Sequence, residues 1–436
     1  MAENTPASPT AGRSRRPPAI GALLTVLVAL GQISTSIYIP SMPSIVHDLA
    51  TTSDRVNLTM SGFLLGFAVC QLVFGPLSDR FGRRPTLLAG LGLYLVVSLV
   101  CAFAWSIEAL ILGRVLQGMA ACVGPVLGRA IVRDVYGVEG TARAMAKISA
   151  ALAVSPAIAP LIGGYLQAWF GWRAAFLFLA AVGVVVLAST LWLLMETSPR
   201  DADGSPPRHG LLAAMTGLLA DRRYLGNTLA VAFVFAGLMA YAAGGPFVFI
   251  DVLKLSPQHY GGLAVFTVAG YLTGTLLAGR LASRLALDQL TLLGLVICIV
   301  GGGSMLAVAE AAPSSVIALV APMAVFTAGL GMVLPSGIAA AMVPFPAIAG
   351  SASALLGFLQ MLVAAIATTV VGLLPHETGV PMAAVIAGGA GLALLAFLVL
   401  VRTPRTRAAG CSRSGRSGPE APDGERRSTG RREPLA

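Results

Sequence analysis

The segment GPLSDRFGRRP, residues 75–85, sets one acidic and three basic side chains between two long apolar runs. Charge gathered into so short a stretch marks a turn at a polar surface, and the runs on either side are long enough to cross a bilayer. The same alternation continues in both directions. Of the 436 residues 56% are hydrophobic and only 11% charged, against about 25% charged in a soluble domain. Twelve apolar runs are read as spans, from 19–40 and 57–78 at one end to 348–372 and 379–401 at the other. They show no period-2 alternation. Backbone polar groups in lipid must be satisfied inside a helix or a closed barrel, so unbroken runs imply an all-α, polytopic membrane protein.

The formal charge of +10 is explained by placement and carries no nucleic-acid reading. With twelve spans, all 29 lysines and arginines except Arg55, Arg114, Arg173 and Lys254 fall on one side. The positive-inside rule makes that side cytoplasmic, with both termini on it, in a multi-pass protein of the cell membrane. The organisation expected is an N-tail (1–18), a six-helix half (19–195), a polar linker (196–223), a second six-helix half (224–401) and a basic C-tail (402–436). The tail composition is that of a disordered segment able to touch anionic lipid. Two echoes support the halves. GPLSDR at Gly75 returns as GRLASR at Gly279, and GTARA at Gly140 returns as GSASA at Gly350, at separations of 204 and 210 residues. Six-plus-six repeats are a transporter architecture with its site between the halves. The five cysteines form no disulfide or metal spacing, and no phosphate-binding Gly-x-x-x-x-Gly-Lys segment occurs. The four histidines fall in loops or at span ends and do not converge as an enzyme site requires. No cofactor, metal or catalytic residue is expected.

With these features in hand, Gly75, Asp79, Arg80, Gly82, Arg83 and Arg84 resemble the major facilitator signature between the second and third helices. LILGRVLQGMAA (110–121) is similar to the fourth-helix motif, with Arg114 and Gln117 in register. SPAIAPLIGG (155–164) is similar to the fifth-helix antiporter motif, although Ser155 and Ala159 stand where glycines are usual. With IYIPSMPSI (37–45), RAIVRD (129–134) and GSASALLGFLQ (350–360), the chain resembles the twelve-helix drug:proton antiporters of the bicyclomycin/chloramphenicol resistance (Bcr/CflA) branch over residues 19–401.

That resemblance implies export of small neutral or amphipathic compounds, chloramphenicol- or bicyclomycin-like, by proton antiport and alternating access in a monomer. An uptake carrier for a small metabolite, or a transport-inactive sensor of the same fold, stays open. It implies a conformational latch at residues 75–84 and leak-tight packing at Ser155, Pro156, Ala159, Pro160, Gly163 and Gly164. Arg114 is the only charge well inside a span, a costly position normally turned to a cavity or partner. It is expected to face the central cavity with Gln117. Relatives commonly carry an aspartate at the position of Ser36, and no acidic residue lies deep in any span here. Asp134, beside Arg133, and Glu108 are therefore the proton-linked candidates. Gln32, Tyr38, Phe67, Phe235, Tyr271 and Gln360 are the polar and aromatic candidates for contact with cargo.

Overall fold

A computed structural model describes residues 17–197, 211–312, 315–375 and 377–402. Among these residues there is no strand, and twelve helices are long and apolar enough to cross a membrane. They are α1 (Ala19–Asp48), α2 (Ser53–Phe81), α3 (Arg83–Ala102), α4 (Ile107–Gly137), α5 (Arg143–Phe170), α6 (Arg173–Leu193), α7 (Arg222–Val252), α8 (Pro257–Leu281), α9 (Leu287–Ala311), α10 (Val316–Met342), α11 (Ala349–Leu373) and α12 (Val380–Arg402). The chain is a multi-pass, all-helical membrane protein.

Local chemistry sets the ends of these helices. Ser106, Asp221, Ser256 and Ser315 precede α4, α7, α8 and α10, and each accepts from a backbone N–H of the first turn, the usual N-cap arrangement. Gly82 ends α2 and begins α3 at φ +97°, a backbone state that costs glycine little and other residues more. Pro40 and Pro43 break α1 into a 3-10 turn at Ile39–Ser41 followed by a short helix, because proline cannot donate to the preceding turn.

Several boundaries differ from those read in the sequence, two of them with a physical reason. α4 runs to Gly137 rather than to about 128. Its extra turns bury Ile131 and Val132 and leave Arg129 and Arg133 exposed, so the helix outlasts the unbroken apolar run by becoming two-faced. Inside the expected linker, Leu211–Ala220 is a helix whose Leu218 packs with Tyr224, Leu355 and Leu356. The expectations for the tails fall outside the described residues, except that a helix already begins at Pro17 and Arg402 closes α12.

The first six helices and the last six meet along two seams, α2 with α11 and α5 with α8. Both seams are tight on the face opposite the 75–85 turn. Ser61 and Thr368 share a hydrogen bond (2.9 Å), and Gly372 sits on the Asn57 side chain. Gly164 rests on the Pro257 carbonyl, and Gly261 on that of Pro160. A Cβ added at Gly75, Gly279 or Gly350, on the basic face, would meet nothing within 4 Å. The two sets of helices thus meet closely on the face opposite the turn.

Candidate functional site

The turn at 75–85 is organised around Arg83. Its Nη1 lies 2.7 Å from Asp79 Oδ1 and donates to Ser78 Oγ (2.5 Å). Its Nε lies 3.5 Å from Asp134 Oδ2, close enough to pair electrostatically but without hydrogen-bond geometry. Asp134 is thus brought to Arg83 of the turn. Glu196, the third residue after α6, accepts from the backbone N–H groups of Arg83 (2.9 Å) and Arg84 (3.2 Å). A carboxylate there satisfies two of the free donors of α3 and complements its dipole. Arg84 Nη2 donates to the Leu191 carbonyl (3.1 Å), while Arg80 lies over the Phe81 ring (5.3 Å). These contacts tie α2, α3, α4 and the end of α6 together. Glu196 was not singled out in the sequence. The available signal was an acid at a span end on an otherwise basic face.

Arg114 corrects an expectation. It is fully buried within the first six helices and lines neither central cavity. Its guanidinium carbon stands 4.2 Å from the Tyr38 ring centre, 4.3 Å from that of Phe63 and 5.8 Å from that of Phe176. Nη1 donates to the Ser34 carbonyl (3.2 Å) and to Gln117 Oε1 (2.6 Å). Gln117 Nε2 passes the network to Ser98 Oγ (2.8 Å), and Ser34 Oγ meets Tyr94 Oη (2.7 Å). Nε and Nη2 have no hydrogen-bond partner among the described residues. Ring faces take the place of a counter-ion, and a desolvated cation–π contact contributes about 2 kcal/mol. Tyr38 is accordingly the cover of Arg114, fully buried and bonded to Thr59 Oγ1 (3.2 Å), and it lines neither cavity.

Two cavities lie between the first and last six helices. One, with about 300 Å³ of empty space, is bounded by Gln32, Thr35, Phe63, Phe67, Phe235 and Met361. The other, with about 550 Å³, is bounded by Gln32, Ser36, Pro156, Pro160, Tyr241 and Tyr260 among others. They share Gln32 and Met239. No charged side chain lines either. Helix α5 serves two neighbours through the 3.6-residue period. Ala159 and Gly163 turn inward, Ala159 buried and Gly163 on the Ile37 carbonyl of α1. Pro156 and Pro160 face the larger cavity, with Gly164 one turn further against α8. Ser155 is buried, and its hydroxyl bonds back to the Leu152 carbonyl (3.0 Å).

The sequence matches the Major Facilitator Superfamily over residues 24–368. The chain belongs to that superfamily. It is a membrane transporter of small molecules and not an enzyme. A Bacillus subtilis relative described as the uncharacterized MFS-type transporter YdgK is 32% identical over 88% of this chain and 96% of its own. The multidrug resistance protein D of Escherichia coli is 33% identical over 82% and 89%. The chloramphenicol resistance protein of Pseudomonas aeruginosa is 30% identical over 83% and 85%. These names are consistent with the Bcr/CflA branch. Among solved structures, a D-xylose–proton symporter superposes with a TM-score of 0.71 at 17% identity, over 89% of this chain and 98% of its own, a likeness of fold alone.

Within this superfamily member the remaining candidates separate. Gln32, Phe67 and Phe235 line the central cavities. Gln360 is half-buried beside Met361 without lining either, and Tyr271 is half-buried on α8, its carbonyl against Gly331. Glu108 is exposed on the far face in a 2.5 Å pair with Arg55, remote from Asp134. Tyr241 and Tyr260 line the larger cavity and were missed. Their signal was a tyrosine inside an otherwise apolar run, which periodicity assigns to packing as readily as to a site.

The turn carries a prediction. Asp79→Asn and Glu196→Gln each leave expression intact and lower transport per molecule roughly two- to fivefold, the scale of a partly exposed ion pair. Quantified membrane protein with initial flux in the same vesicles checks this. Unchanged flux in both variants means the turn is only a topological anchor.

Proposed function

We propose that this transporter exports small neutral or amphipathic compounds, chloramphenicol- or bicyclomycin-like, by proton antiport with alternating access. The observation that carries the reading is the pair of central cavities, walled by Phe67, Phe235, Tyr241 and Tyr260 and free of charged side chains. Such walls suit an amphipathic guest and offer nothing to a phosphate or dicarboxylate. The resistance proteins among its relatives support the same class of cargo. In this reading the basic face and both termini are cytoplasmic. The two six-helix halves, 19–195 and 224–401, rock about the α2–α11 and α5–α8 seams in a monomer. The structure then corresponds to a state closed on the outside. Residues 75–84 act as the latch of the opposite state, and Asp134 and Glu108 are the carboxylates available to link the cycle to protons.

Inverted membrane vesicles with an imposed proton gradient test it. Labelled chloramphenicol accumulates when the gradient is present, and a protonophore abolishes the accumulation. Accumulation indifferent to the gradient removes proton coupling, and no accumulation of any neutral antibiotic removes the export reading.

A further inference from the structure

Tyr241 is buried in the wall of the larger cavity, and its hydroxyl has no hydrogen-bond partner among the described residues. Ring contacts position it, since Tyr241 meets Phe249 edge-on (6.0 Å between centres) and Phe249 in turn meets Tyr260 (5.8 Å). A buried hydroxyl left unpaired is unfavourable, and the natural relief is an acceptor on a guest in that cavity. Gln32, Ser36, Tyr260 and Thr267 are the other polar side chains on the same wall. All are neutral.

The charge behind the wall is not neutral. Phe63 lines the smaller cavity and also holds Arg114, 4.3 Å from its ring centre. Arg114 also grips the Ser34 carbonyl of α1, in the same stretch of helix that presents Gln32 and Ser36 to the cavities. The hydrogen-bond partners of its guanidinium are uncharged, and among the described residues no carboxylate pairs with it. A full positive charge therefore stands one ring behind the cargo space. Aromatic walls on their own attract cations. Here the faces of Tyr38 and Phe63 are already engaged by Arg114, and the field of a full charge outreaches that of a ring quadrupole.

We propose, resting on the export reading above, that the central cavities sort cargo by charge. They take neutral or singly anionic aromatic compounds, more tightly where these offer Tyr241 a hydrogen-bond acceptor, and they reject lipophilic cations. At an effective dielectric of about 20, a unit charge about 12 Å away shifts monovalent binding by about tenfold.

The test uses the full chain purified in detergent, with binding to empty micelles subtracted. Tetraphenylborate and tetraphenylphosphonium, nearly equal in shape and opposite in charge, compete against labelled chloramphenicol. The borate displaces it at a concentration about tenfold or more below that of the phosphonium ion. Ser36→Asp, which sets a carboxylate on the cavity wall, reverses that order. Tyr241→Phe weakens chloramphenicol roughly three- to tenfold, the scale of one hydrogen bond, and leaves the borate, which has no acceptor, unchanged. The borate thereby also reports that the variant is folded. Equal displacement by the two ions in the unaltered protein overturns charge sorting while chloramphenicol binding upholds the export reading. Chloramphenicol binding indifferent to Tyr241→Phe overturns the role given to that hydroxyl. Binding of none of the three probes to folded protein overturns both this inference and the reading on which it rests.

Discussion

Arg114→Ala abolishes transport and costs several kcal/mol of stability, while Arg114→Met abolishes transport at a smaller cost in stability. The two outcomes differ because the guanidinium has two roles. As volume it fills the space between Tyr38, Phe63 and Phe176. Alanine leaves that space empty, at the roughly 2–5 kcal/mol typical of a large-to-small core change, and strands the Ser34 carbonyl and Gln117 Oε1. As charge it is buried without an anion, and replacing a buried charge by an apolar side chain of similar size is often neutral or stabilising, by about 1–4 kcal/mol. Lysine keeps the charge and loses the planar fork that stacks on two rings while bonding Gln117, so Arg114→Lys retains less than about a tenth of the flux. Thermal unfolding in detergent and flux per molecule in vesicles separate the two roles. An Arg114→Met protein that is both stable and fully active would show that the charge serves nothing.

Gly261→Val reduces transport tenfold or more, whereas Gly262→Val, one residue along the same helix, changes it less than about twofold. Both variants carry the same change in helix propensity, so the comparison isolates packing. At Gly261 the first side-chain carbon falls on the carbonyl of Pro160, across the α5–α8 seam. At Gly262 it meets nothing within 4 Å. Backbone cannot move aside as a flexible side chain does, and overpacking of this kind costs about 1–3 kcal/mol. The strain falls on the contact between the two sets of helices rather than inside one, so its effect is to disfavour the state closed on this face. Flux, together with labelling of single cysteines placed along the seam, reads this directly. Gly261→Val with full activity would mean that the seam does not close tightly in the working cycle.

The spans, their number and the turn at 75–85 were legible in the sequence because they are local properties. A run of about 20 apolar residues needs no partner to declare itself, and Gly82 between Phe81 and Arg83 ends a helix through its own backbone freedom. The small-residue stripe of α5 was legible for the same reason, since Ser155, Ala159 and Gly163 share a face by helical period alone. The length of α4 was misread because the apolar run and the helix are different things. Its last turns are amphipathic, and the buried Ile131 and Val132 help to hold them.

What the tertiary structure alone decided is where polar groups go when they leave water. A lone arginine in a span has to find compensation, and the sequence names the debt without the creditor. Three rings and a carbonyl from α1, α2 and α6 surround Arg114, and none of them is a sequence neighbour. Glu196 reaches α3 across more than a hundred positions of chain, and Tyr241 enters a cavity wall that exists only once helices of both sets are assembled. Burial of apolar length is additive along the chain and can be read one segment at a time. Electrostatic compensation and cavity walls are pairwise in space, between residues far apart in sequence, and they come into being only when the helices pack.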